Sequence, residues 1–137
     1  MKIRGAKKSD VEKLVAIDKI SNKEIKWWQP LSKSDFLKIL KCKNLLYVVE
    51  EKEEIIAYLS GAIKGSKLIL ENVFVKKEFR KKGIAKKLIK KFLSNWKNKN
   101  MKAIRLDCQE RLRDFYERLG FRVTALIMKK DFWSNLV

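Results

Sequence analysis

The hydrophobic period of the chain changes once and sharply, near Lys76. Before that point Leu45–Glu50, Ile55–Ile63 and Lys67–Val75 are rich in β-branched and aromatic residues, and the polar turns Glu51-Lys52-Glu53 and Gly65-Ser66 separate them. This is the pattern of an antiparallel meander. After it, Ile84, Leu88, Ile89, Phe92, Leu93 and Trp96 recur at the spacing of one helix face, while Lys86, Lys87, Lys90, Lys91 and Lys97 lie largely on the other. A meander followed by a strongly amphipathic helix reads as a helix packed on a sheet.

The flanking segments extend that reading. Asn98–Asn100 closes the helix, and Ala103–Cys108 reads as a strand after a crossover, parallel to Lys67–Val75. Leu112, Phe115, Tyr116 and Leu119 have helical spacing, with Gly120 as the stop, and Phe121–Lys130 reads as a last strand or a very tight hairpin. Toward the N-terminus, Lys2–Lys7 reads as a short strand. Ser9 and Glu12 have the form of a capping box opening a helix that runs to about Ser21. Asn22–Leu31, with Trp27, Trp28 and Pro30, reads as a loop, and Ser34-Asp35 starts a second short helix through Phe36, Leu37 and Leu40. The expected fold class is α/β, a mixed sheet flanked by helices, in a single domain spanning residues 1–137.

Composition narrows the chemistry. Apolar residues make up 46% of the 137, enough for one continuous core despite 36% charged residues. Lys and Arg number 34 against 16 Asp and Glu, a net charge of +18. That excess attracts a phosphate-rich cofactor, RNA or an acidic protein surface, although lysines spread along the whole chain read first as a solvated surface. There is no histidine, so proton transfer must use Asp, Glu, Tyr, Lys, Cys or water. Cys42 and Cys108 lack metal-ligand spacing, so no metal site is expected, and Cys108 reads as a buried structural thiol rather than a nucleophile. The N-terminus lacks the apolar run of a signal peptide, and no stretch approaches the roughly 20 apolar residues of a membrane span. A soluble, cytoplasmic protein is expected.

The segment Arg80-Lys81-Lys82-Gly83-Ile84-Ala85 lies between a strand and a helix start. Backbone N–H groups at a helix N-terminus have no intrahelical acceptor, and the helix dipole adds positive potential there. A diphosphate is favoured in that position, and Gly83 and the small Ala85 permit close approach of an anion. A basic solvated connection has the same composition, so spacing alone leaves both readings open. The glycine pattern matches neither the Walker loop nor the dinucleotide fingerprint, which disfavours nucleoside triphosphates and NAD.

At these residues the sequence resembles the GNAT superfamily of N-acetyltransferases. The family pattern Arg/Gln-x-x-Gly-x-Gly/Ala after a strand corresponds to Arg80–Ala85 following Glu71–Val75, and a late Tyr before Leu-Gly-Phe corresponds to Tyr116 and Leu119-Gly120-Phe121. The resemblance spans roughly residues 45–130. It implies a central mixed, mostly antiparallel sheet with a splayed parallel strand pair, and acetyl-CoA as acetyl donor. The pyrophosphate would rest on the backbone of Lys81, Lys82, Gly83, Ile84, Ala85 and Lys86 beside Arg80, and the pantetheine arm would pair with Val73, Phe74 and Val75 like an added strand.

The resemblance also implies direct attack of a primary amine on the thioester. Tyr116 corresponds to the tyrosine that donates a proton to the departing sulfur; from spacing alone it reads first as a core residue, and the motif around it favours the catalytic role. Glu71 is the leading general base and Asp107 the alternative. Trp27 and Trp28 fall where the family forms its acceptor pocket. Two departures stand out: Cys108-Gln109-Glu110-Arg111 lacks the family's coenzyme-contacting Asn, with Gln109 as a substitute, and Phe121–Lys130 is short for two closing strands. The expected activity is N-acetylation of a protein N-terminus, a lysine or a small amine, by a monomer or homodimer. The competing reading is a non-catalytic coenzyme-A-binding or RNA-binding module. The lysine face of residues 86–97 lacks aromatics for base stacking, which disfavours nucleic acid.

Overall fold

A computed structural model describes residues 1–25, 29–97, 99–128, 130 and 132. The chain forms two compact units, Met1–Leu106 and Asp107–Val137. The first contains β1 (Lys2–Gly5), α1 (Val11–Ile25), α2 (Lys33–Leu40), β2 (Leu46–Glu51), β3 (Glu54–Lys64), β4 (Lys67–Val75), α3 (Ile84–Trp96) and β5 (Ala103–Arg105). The second contains α4 (Arg113–Arg118). The sheet order is β1-β2-β3-β4-β5, antiparallel throughout except for the parallel pair β4–β5. This is the expected mixed, mostly antiparallel sheet.

Helices cover both sheet faces, which is why Leu45–Val49 is a continuous buried run rather than an alternating one. Leu46, Val48, Tyr58 and Phe74 pack with Val11, Leu14 and Ile17 of α1 and Phe36 of α2. On the other face Tyr47 meets Phe92 of α3 edge-on, with ring centroids 6.2 Å apart. Gly61 permits that approach: a Cβ there would lie 2.7 Å from the Phe92 ring. Asp18, fully buried, accepts from the Tyr58 hydroxyl at 2.5 Å and from the Leu31 N–H at 2.6 Å.

Several boundaries differ from the sequence expectation. The first helix is entered through a single 3-10 turn, Lys8–Asp10, and Asp10 rather than Glu12 reaches back, accepting from the Lys7 N–H at 2.7 Å. Asp10 also holds Arg4 through two hydrogen bonds, of 2.7 and 2.9 Å. A tertiary ion pair therefore selects the cap, and Ser9 takes no part. The helix continues to Ile25, beyond Ser21, so the expected loop begins later. Ser32 caps α2 in a capping box with Asp35, earlier than the expected start at Ser34. The β2–β3 turn places Lys52 at φ 49° and Glu53 at φ 67°. A two-residue hairpin turn of type I′ needs left-handed backbone at both positions, and this turn adopts it without Gly or Asn.

The second unit opens with a 3-10 turn, Glu110–Leu112, and α4 ends in a Schellman cap. The Phe121 N–H donates to the Tyr116 carbonyl at 3.1 Å and the Gly120 N–H to the Glu117 carbonyl at 3.0 Å, with Gly120 at φ 97°. The expected strand or hairpin over Phe121–Lys130 does not form among the described residues: 121–128 have no strand pairing. Val123, Leu126, Ile127 and Met128 are exposed there. Their alternation with polar residues is too weak to specify one sheet face.

Candidate active site

The parallel pair β4–β5 is short. Lys67, Leu68 and Ile69 face Ala103, Ile104 and Arg105, and β5 ends there instead of running to Cys108. Beyond Ile69, β4 has no strand partner on that side among the described residues. Its other side stays paired with β3 up to Val75, and the Lys76 N–H donates to the Ile56 carbonyl at 2.9 Å. Alternation along an antiparallel ladder then turns the N–H and C=O of Phe74 and Asn72 toward β3, and those of Val73 and Val75 toward the open edge. Of the three residues expected to meet pantetheine, Val73 presents its N–H and C=O there, Val75 its N–H while its carbonyl accepts from Arg80, and Phe74 neither.

Glu71 owes its position to a β-bulge. Ser60 faces Asn72 and Gly61 faces Leu70, leaving Glu71 as the extra residue on β4. A bulge bends the strand and re-aims one side chain, and Glu71 is exposed at that bend, next to the open edge.

The segment after β4 carries the expected helix entrance. A 3-10 turn, Lys77–Phe79, precedes Arg80, and Lys81 and Gly83 both have left-handed backbone, φ 64° and 77°. Gly83 caps α3 without a side-chain hydrogen bond, and the first turn holds no acidic residue. The first helical bond is from the Lys87 N–H to the Gly83 carbonyl, 3.1 Å. The N–H groups of Ile84, Ala85 and Lys86 precede it and have no intrahelical acceptor. Lys81, Lys82 and Lys86 are exposed around them. An uncapped helix start beside three cations and a Gly attracts an anion.

Arg80 behaves differently from the lysines. Its Nε donates to the Val75 carbonyl at 2.8 Å, its Nη2 to Glu24 of α1 at 2.5 Å, and its guanidinium lies 5.3 Å from the Phe74 ring centroid. Glu24 escaped the sequence reading because it fell in the expected loop.

In the second unit, Tyr116 packs edge-on between Phe115, at 5.1 Å, and Phe121, at 5.8 Å. The Schellman cap folds Phe121 back onto Tyr116, which gives the Tyr…Leu-Gly-Phe spacing its physical sense. Burial, helped by the neighbouring Cys108 thiol, raises the phenol above its ordinary pKa of about 10. Asp107 is exposed. Cys108 is exposed rather than buried as expected, because β5 ends before it. Partial burial of its sulfur, then Glu110 and Asp107, push its thiol pKa up, away from nucleophilic thiolate. Gln109 accepts from Arg111 at 2.9 Å. Trp27 and Trp28 lie outside the described residues. A groove of about 440 Å³ lined by Ala6, Lys7, Lys8, Leu37, Leu40 and Lys41 includes none of these groups. Among the described residues, no three His, Cys, Asp or Glu side chains cluster as metal ligands would, and no helix is long and apolar enough to cross a membrane.

Comparison with known proteins gives this arrangement its context. No curated protein matches the chain. Among solved structures, glucosamine-6-phosphate N-acetyltransferase from Arabidopsis thaliana superposes with a TM-score of 0.72 at 23% identity, over 96% of this chain and 97% of that one. A predicted acetyltransferase with acetyl-CoA from Clostridium acetobutylicum gives 0.74 at 22%, over 95% of each chain. Aminoglycoside N-acetyltransferase AAC(6')-Iy in complex with CoA gives 0.74 at 20%, over 95% of this chain and 98% of that one. These likenesses establish the fold. The sequence profile of the acetyltransferase (GNAT) domain matches residues 17–134. With most of its length inside that profile and its sheet opening beside an uncapped, glycine-led helix, the chain belongs to the GNAT acetyltransferase family.

Proposed function

We propose that residues 1–137 form one acetyl-CoA-dependent N-acetyltransferase domain that moves an acetyl group to a primary amine by direct attack. The observation that carries this reading is the continuity of the open β4 edge with the α3 entrance. Outward backbone groups at Val73 and Val75 lead along the chain to the free N–H groups of Ile84, Ala85 and Lys86. A ligand with an amide-bearing arm and a diphosphate matches that order, and coenzyme A has both.

In this reading the Val73 and Val75 backbone aligns the pantetheine arm. The loop Lys81–Lys86 holds the diphosphate, with the lysine side chains adding charge. Acetyl-CoA supplies an acetyl thioester. Glu71 takes the proton of the acceptor ammonium, through a water, so that the amine lone pair is free to attack. Asp107 is the alternative base. As the nitrogen–carbonyl bond forms and the carbon–sulfur bond breaks, Tyr116 gives its proton to the leaving sulfur and is reprotonated by the proton that the new amide nitrogen sheds; its raised pKa keeps the phenol protonated at neutral pH. The acceptor is a protein N-terminus, a lysine or a small amine, and the setting is cytoplasmic.

Thermal unfolding with coenzyme A, acetyl-CoA, ATP and NAD tests the reading. Stabilisation by coenzyme A and acetyl-CoA alone is expected, about 2.7 kcal/mol at a hundredfold excess over Kd. An equal response to all four phosphates, or to none, would sink it.

A further inference from the structure

We propose that Glu24 is a positioning residue for the coenzyme loop, acting through Arg80. The proposal rests on the coenzyme reading above and concerns two side chains that the mechanism does not use as reacting groups. Arg80 is the first residue after the Lys77–Phe79 turn, so its place determines where the loop sets out toward Gly83. Three contacts hold it. Nε bonds the Val75 carbonyl, Nη2 bonds Glu24, and the guanidinium plane lies over Phe74.

Each contact ties the loop to a different part of the site. Val75 is the last residue of the open edge, and its carbonyl faces that edge. Phe74 belongs to the core shared with α1. Glu24 stands in the last turn of α1, immediately before the connection to α2. Arg80 thus fastens the exit of β4 to the end of α1. Its guanidinium is committed to a carboxylate and a carbonyl, and is not a free cation for phosphate. Arginine does this where lysine does not, because its fork donates in two directions at once while an ammonium is a point charge.

The sign of the predicted effect separates a brace from simple electrostatics. Glu24 is an anion near a site for a polyanion. By charge alone, Glu24→Gln should tighten coenzyme binding. As a brace, Glu24→Gln should weaken it, because Arg80 loses its charged anchor and the loop must order itself on binding. The contact is half-exposed, so the loss is modest, about threefold in Kd. Arg80→Lys keeps the positive charge but loses the fork, and should weaken binding by at least as much.

Coenzyme A binding is measured calorimetrically for the unmodified protein, Glu24→Gln and Arg80→Lys, at low and moderate salt, with unfolding midpoints taken without ligand. Both variants are expected to bind about threefold more weakly, to raise KM for acetyl-CoA and to leave kcat nearly unchanged. Tighter or equal binding by Glu24→Gln, or unchanged binding by Arg80→Lys, would overturn the brace while leaving the coenzyme reading standing. Failure of the unmodified protein to bind coenzyme A would overturn that reading as well.

Discussion

The hydroxyl of Tyr58 on β3 donates to the carboxylate of Asp18 on α1 across 2.5 Å, where neither residue is exposed to solvent. Burial first, and then the Asp18 carboxylate, raise the phenol far above its ordinary range, so it remains a donor at any working pH. Together with the Leu31 N–H on the other carboxylate oxygen, it makes Asp18 the pin between α1, the start of α2 and the sheet. Tyr58→Phe keeps the edge-on ring contact with Phe36 but leaves a buried carboxylate oxygen unsatisfied. The expected cost is about 2 kcal/mol, a fall in Tm of about 8 °C, read by thermal unfolding.

Asp10 predicts a pH dependence. The Arg4 guanidinium, and then the Lys7 N–H, hold its carboxyl below the usual carboxylate range, and Glu50 on β2 is lowered by the same arginine. A depressed folded pKa contributes stability that is complete above the unfolded value of about 3.9 and is lost as pH falls through the folded value. Asp10→Asn should therefore be less stable than the parent near neutral pH by about 2 kcal/mol. The gap should narrow below about pH 4. Urea unfolding at a series of pH values gives the curve, and a gap that does not change with pH would contradict it.

The β2–β3 turn predicts a gain. Glu53 sits at φ 67° with its side chain exposed, in a conformation that glycine adopts without penalty. Glu53→Gly relieves about 1–2 kcal/mol of left-handed strain and adds about 0.5–1 kcal/mol of freedom to the unfolded chain, so it should stabilise the protein by a net of about 0.5–1 kcal/mol. The Lys13 ammonium bonds the Glu53 carbonyl, which the substitution retains. Equilibrium unfolding decides, and a loss of stability would show that the side chain matters more than the backbone.

The three proposed reacting groups separate by kinetics. Tyr116→Phe should lower kcat about a hundredfold while coenzyme binding persists. Glu71→Gln and Asp107→Asn, compared across pH, assign the base: the variant of the true base loses the rise in rate that follows carboxylate ionisation, and the other keeps it. Unchanged turnover in Tyr116→Phe would remove the phenol from the mechanism.

Much of the fold was legible because its signals are local. The β4 span Lys67–Val75 and the α3 span Ile84–Trp96 appear at the residues their hydrophobic periods predict. So do the glycine stop after α4 and the glycine before α3. Backbone conformation and amphipathic period are written residue by residue, and the family pattern at Arg80–Ala85 is read from the same string.

What the tertiary structure alone decided involves pairs distant in sequence. The bulge at Glu71 exists because β3 holds β4 in two registers, which change between Ser60 and Gly61. The open edge exists because β5 leaves β4 after Ile69. Arg80 read as a phosphate ligand from its charge, but Glu24, 56 residues earlier, holds its guanidinium. Asp10 displaced Ser9 and Glu12 at the helix entrance because Arg4 on β1 offered a fork. Local sequence sets which backbone shapes are cheap. Only the folded chain sets which charges meet, because their attraction depends on distance through space rather than along the chain.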